Sequence, residues 1–273
     1  VIRSAGAVVA AVDELEHQVL GSLDVVIEQL DQALESIGRH DARLAREVLA
    51  GDEQIVKECV LVHQCVLSLL AAKMLGAAEL RVAAALLQVV RGIVRIEAEC
   101  VKVADVAMVW ISEERGDAAL LGPIERVGRL SLAEVLLAKQ AFAWRRVDLA
   151  HRAARVDGDL RALNRQVLGQ AVEVRGGWEV RDRAMFLFLV ACRLERIGDN
   201  ALDIAEQTVI VDGGLFGEVA GIQPARSDRI RESGDEFPWV TDPLRMCAPR
   251  PRLVPTPPPS LARLPRKRDF ADI

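Results

Sequence analysis

The sequence predicts an all-α fold: two tandem three-helix bundles followed by a disordered Pro/Arg-rich tail. Three observations carry this. Apolar residues recur at three- and four-residue steps over long stretches, the period of a helix face. Aromatics make up 4% of the chain and Tyr is absent, so packing falls to Leu, Val, Ala and Ile, which suits helix seams better than a sandwich core. Proline is confined: ten of the eleven lie at or beyond Pro224, and the other, Pro123, stands near the middle of the remaining body.

The elements follow in order. The first helix is predicted over about 10–37, where Leu20, Leu23, Ile27, Leu30 and Leu34 form the inward stripe and Gly38 ends it. Asp41 is placed to cap the second helix, which runs to about Leu75 before Gly76 and Ala77 break the pattern. The third spans about 78–114 and stops at Gly116-Asp117. The second half repeats the plan, with helices over about 124–145, 147–174 and 179–211, separated at Gly176-Gly177 and closed by Gly213-Gly214. Long helices with short connections favour antiparallel bundles. The predicted organisation is a first repeat over 7–118, a second over 119–217 and a tail over 218–273.

The halves also echo each other. Leu44-Ala45, Asp52 and Ile55 match Leu149-Ala150, Asp157 and Leu160 at an offset of 105. Arg95-Ile96 and Ala104 match Arg196-Ile197 and Ala205 at an offset of 101. The slip falls near the Gly76 and Gly176 breaks, where a turn can absorb it.

The net charge of −5 is unevenly spread: residues 221–273 hold ten Lys/Arg and seven Asp/Glu, leaving −8 on the first 220 residues. An acidic body argues against nucleic-acid binding. The cysteines, Cys59, Cys65, Cys100, Cys192 and Cys247, form no CxxC. They read as small buried hydrophobes of a reducing compartment, although Cys59 and His63 share a helix face. No run of 18 apolar residues occurs, so no membrane span is expected. The apolar N-terminal stretch runs at once into Asp13-Glu14 and reads as a helix start rather than a targeting segment. Phosphate-loop, nucleophile-elbow, zinc-protease and dinucleotide motifs are missing, so no enzyme is expected. His17, His40, His63 and His151 are scattered helical histidines, and Trp110, Trp144 and Trp178, towards helix ends, read as packing anchors.

The most informative stretch is 195–206. Glu195, Asp199, Asp203 and Glu206 fall within about 80° of one another around a helix, opposite Val190, Leu194, Ile197, Ala201 and Ile204. Carboxylates four apart repel one another by a few tenths of a kcal/mol per pair, and a bound cation relieves that. Oxygen donors suit Mg, Ca, Mn or iron. A solvated face, or neutralisation by Arg193 and Arg196, is the alternative.

Residues 193–199, Arg-Leu-Glu-Arg-Ile-Gly-Asp, with Ile204-Ala205-Glu206, resemble the repeat motif of the PhoU family, accessory regulators of bacterial phosphate-specific transport. The resemblance covers roughly 10–215. It implies two three-helix bundles with the motif on each third helix. It also implies a non-enzymatic, cytoplasmic or membrane-peripheral protein, often a dimer. Such a protein works with a phosphate ABC transporter, through its ATPase subunit, and a sensor histidine kinase. Some members hold metal clusters through these carboxylates. By that resemblance a divalent metal or iron cluster belongs on the second repeat, at Glu195, Asp199, Asp203 and Glu206, with Asp157 from the neighbouring helix.

The departures matter. Asp203 stands where the family has Asn. The first-repeat counterparts are Val94, Ala98, Lys102 and Asp105, so no metal is expected there. The family tends to place two acids four apart on each second helix, but here Asp52 is followed by Val56 and Asp157 by Arg161. The alternatives are an accessory protein of another phosphate carrier and a carboxylate-bridged metalloprotein. Bundles of the latter kind use paired Glu-x-x-His motifs, and the chain has one, Glu14 to His17. In the tail, the seven basic residues from Arg245 to Arg268 read either as a disordered extension with no role or as an electrostatic tether to anionic lipid or to an acidic surface on a partner or the body.

Overall fold

The structure, a computed structural model, describes residues 5–73, 75–112, 118–173 and 177–213. Among them are six α-helices and no strand: α1 (Ala5–Arg39), α2 (Ala42–Ala71), α3 (Ala77–Ser112), α4 (Ala118–Trp144), α5 (Val147–Glu173) and α6 (Trp178–Asp212). The expectation of a disordered tail over 218–273 lies outside the described residues, as does Cys247.

α1, α2 and α3 pack on one another, and so do α4, α5 and α6. The two sets are joined by α3 on α6 and α1 on α4, so four helices make the centre and α2 and α5 flank it. All described residues belong to one compact unit. The close approach of α3 to α6 needs Gly92, where a Cβ would come within 2.7 Å of the Ile204 side chain. Trp110, fully buried on α3, stacks on Phe186 of α6 with ring centroids 4.1 Å apart.

The duplication is visible in the turns. His40 (φ 54°) and Arg145 (φ 53°), 105 residues apart, both close their helices in the left-handed region. The next residues repeat one hydrogen bond: Asp41 N–H donates to the Ser36 carbonyl and Arg146 N–H to the Ala141 carbonyl, both at 3.0 Å. These are Schellman-type closures, so α1 runs to Arg39 and is closed by His40 rather than by Gly38. Asp41 caps α2 as expected, accepting from Arg43 N–H at 2.8 Å.

Several expectations need correction. α1 begins at Ala5 and α4 at Ala118, before Pro123 rather than after it. Pro123 lies in the second turn of α4, where it removes one internal bond and its ring crowds the carbonyl four residues back. α2 ends at Ala71, short of Leu75, because Lys73 (φ 53°) turns left-handed. Trp144 and Trp178 are exposed rather than packing anchors. Of the cysteines, Cys59 and Cys100 are buried, but Cys65 is exposed and Cys192 half-buried; all four are free thiols. Burial pushes the Cys59 thiol up to about 12.

α2 is the one described helix long and apolar enough to cross a membrane by length and composition, with a window of mean hydropathy 1.4 of which 28% is buried. Its inward side packs through Val48, Ile55, Cys59, Val62, Val66 and Leu69, while Val60, Leu61 and Leu67 face outward.

Candidate functional site

The apolar side of α6 is buried as the spacing predicts: Val190, Leu194, Ile197, Ala201 and Ile204 are all in the core. The four ladder carboxylates do not form one surface. Packed on α3, α4 and α5, α6 meets different neighbours along its length, and each acid takes the environment of its own level.

At the first level Glu195 accepts a hydrogen bond from the Asn164 amide of α5. One turn on, Asp199 accepts from Arg161 of α5 at 2.7 Å. The same guanidinium donates through Nε to Asp157 at 2.9 Å, so a single arginine bridges a carboxylate on α5 and one on α6. Asp157 is buried, and Asp199 is partly exposed. Burial, then the neighbouring Asp157, Glu195 and Asp203, hold the Asp199 carboxyl above its ordinary range, with Arg161 opposing.

Asp203 has left this group. It lines a groove of about 370 Å³ between α3 and α6, with Gln88, Arg91, Arg95 and Gln207. Burial raises its carboxyl and Arg95 opposes that. Glu206, the last member, is buried. Of the five acids expected to act together, Asp157 and Asp199 share Arg161 as a hydrogen-bond partner. Among the described residues no three His, Cys, Asp or Glu side chains come together so as to hold a metal ion.

One site residue escaped the sequence reading. Glu134 of α4 is fully buried, and neither of its carboxyl oxygens has a hydrogen-bond partner among the described residues. Burial, reinforced by Asp157 and Asp199, raises it to about 9, so it is protonated near neutrality. It lies against Gly198, where a Cβ would come within 2.6 Å of Glu134 Oε2 and 2.4 Å of Leu160 Cδ2. The glycine of the motif is therefore the space that the buried acid occupies. The signal was present: Glu134 stands among the inward positions Val127, Ser131, Val135 and Ala138 of α4, where a charged residue is out of place.

Arg193 and Arg196 do not neutralise the ladder. They reach across the repeats to Glu99 of α3, at 3.4 and 3.5 Å, and Lys102 completes the set at 2.8 Å.

Fold and motif together define a duplicated helical-bundle protein with an acidic signature on α6. A profile described as "PhoU domain" matches it twice, over residues 11–107 and 124–208, one copy on each bundle. The chain belongs to the PhoU family. It is 29% identical over 208 residues to a phosphate-specific transport system accessory protein PhoU homolog of Caulobacter vibrioides, covering 75% of this chain and 87% of that one. To PhoU homolog 1 of Thermotoga maritima it is 26% identical over 201 residues, 73% of this chain and 86% of that one. In fold it is similar to the crystal structure of PhoU from Pseudomonas aeruginosa, with a TM-score of 0.68 and 24% identity over 74% of this chain and 97% of that one.

Proposed function

We propose that the protein is a non-enzymatic regulator of phosphate uptake and phosphate-starvation signalling. It acts in the cytoplasm at the inner membrane by binding a phosphate ABC transporter's ATPase subunit and a sensor histidine kinase. The observation that carries this reading is the double PhoU-domain match, one copy on each bundle, together with relatives named as accessory proteins of phosphate-specific transport. A binding role is supported by the outer face of α2. From Cys59 to Ala72 that helix has no charged residue, although Val60, Leu61 and Leu67 are exposed. The equivalent stretch of α5 carries Arg165 and Glu173. Exposed apolar surface of this kind marks contact with a partner more often than chemistry.

The test is deletion of the gene in its host. Phosphate-starvation genes are expected to be expressed even in high phosphate, and the purified protein is expected to capture the ATPase subunit from solubilised membranes. Normal repression in high phosphate, with normal induction in low phosphate, would overturn the reading.

A further inference from the structure

The second bundle's carboxylate cluster already contains a cation, and it is a side chain. We propose that Arg161 is the resident counter-ion of this cluster and that it excludes divalent metal from it. The inference concerns the chemistry of the cluster and stands whichever partners the protein serves.

The geometry carries it. Asp157 and Arg161 are four apart on α5, the spacing that puts an acid and a base on one helix face. The guanidinium is therefore set beside the Asp157 carboxylate by the helix itself, at 2.9 Å. From there it extends to Asp199 on α6 at 2.7 Å. Bridging carboxylates of two packed helices is what a divalent ion would do. An ion would need several of these oxygens at roughly 2.0–2.6 Å from one centre. The oxygens instead point along N–H bonds to a planar group, and the guanidinium occupies the space between them.

The remaining donors are engaged or set apart. Glu195 takes the Asn164 amide, Asp203 lies in the α3–α6 groove, and Glu206 is buried further along α6. The donor chemistry of Asp157 and Asp199, with Glu134 beside them, would suit a hard cation, but the arrangement does not fit one while Arg161 is in place. Arginine does not deprotonate in proteins, so this counter-ion keeps its charge over the pH range in which the carboxylates are ionised. Removing the guanidinium would leave Asp157 and Asp199 facing each other in a partly buried space, where a divalent ion would offset their repulsion.

The experiment uses the full chain, stripped with chelator and then titrated with Mn2+. Free ion is read by electron paramagnetic resonance and stability by thermal melting. Wild type is expected to show no saturable site and no Mn2+-dependent shift in Tm. Arg161→Ala is expected to melt lower than wild type in chelator, to bind Mn2+ at least about tenfold more tightly than wild type, and to recover Tm on binding. Adding Asp199→Asn should abolish that gain, and Arg161→Lys, which keeps the charge, should stay metal-free. If Arg161→Ala does not fold without metal, Arg161→Gln carries the same expectation. Wild type binding Mn2+ as tightly as the variants would overturn the proposal. So would a folded Arg161→Ala or Arg161→Gln that gains no site, or an Arg161→Lys that gains one.

Discussion

The Glu99 carboxylate on α3 accepts a hydrogen bond from Arg193 on α6 at 3.4 Å, so the first repeat supplies the acid and the second the base of a pair that ties them together. Glu99 is nearly buried while Arg193 keeps partial access to water. Losing the acid therefore leaves arginines that can turn to solvent. Glu99→Ala is expected to cost about 1.5–3 kcal/mol, the range for hydrogen bonds to charged groups, measured by urea unfolding. A double-mutant cycle with Arg193→Ala should show coupling of at least ~0.5 kcal/mol. Strict additivity would mean that the pair ties nothing.

Gly198 gives a sharper test of packing. A methyl group there would press on Leu160 and Glu134 at 2.4 and 2.6 Å. Gly198→Ala should therefore destabilise by about 1–3 kcal/mol through overpacking, despite alanine's better helix propensity. Gly158 on α5 has open space around its missing Cβ. There the same change should stabilise by up to ~1 kcal/mol. Denaturant midpoints of the two variants should move in opposite directions.

Glu134 makes stability depend on pH in a defined direction. Its ordinary value is 4.5 and burial lifts it to about 9. Between those values the folded chain holds a proton that the unfolded chain has released. Stability should then be greatest on the acid side of this window and fall as pH rises, by up to about 1.4 kcal/mol per pH unit, levelling off above about 9. Denaturation in chelator across this range should show the slope in wild type and lose it in Glu134→Gln. An equal slope in both would assign it to other groups.

The basic segment from Arg245 to Arg268 has seven positive residues and no acidic ones. Each lysine or arginine near an anionic bilayer contributes about 1 kcal/mol, screened by salt. The full chain should sediment with anionic vesicles at low salt and be released at high salt, while a chain truncated after Gly221 stays in solution. Equal sedimentation of the two would leave the segment without this role.

The fold was legible in the sequence because it rests on local rules. Helical periodicity, the Asp41 cap and the two offsets all report short-range geometry. What stayed hidden depends on which helix faces which. The ladder reads as one surface because its members share one side of α6, but α6 packs on α3, α4 and α5, so one side meets several environments. Arg161 was visible as a departure from the acidic pattern, yet its bridge to Asp199 needs the α5–α6 register. Pro123 was read as a boundary because proline ends helices, but an early position in α4 tolerates it. Trp144 and Trp178 show the converse: being large and apolar did not place them inside.

One buried acid in each repeat bears on how the chain finds its own pairing. In the second repeat it is Glu134 on the first helix, facing Gly198 on the third. The equivalent positions in the first repeat, at offsets of 105 and 101, are Gln29 and Glu97, both buried, so there the acid stands on the third helix. The two halves are thus written in complementary scripts. Were α3 to pack against α4 during folding, Glu97 and Glu134 would be forced into the same dry space. Were α6 to pack against α1, Gly198 would face Gln29 with no carboxyl between them. Of the two possible mispairings, this exchange disfavours α3 with α4, where two acids would meet in the core.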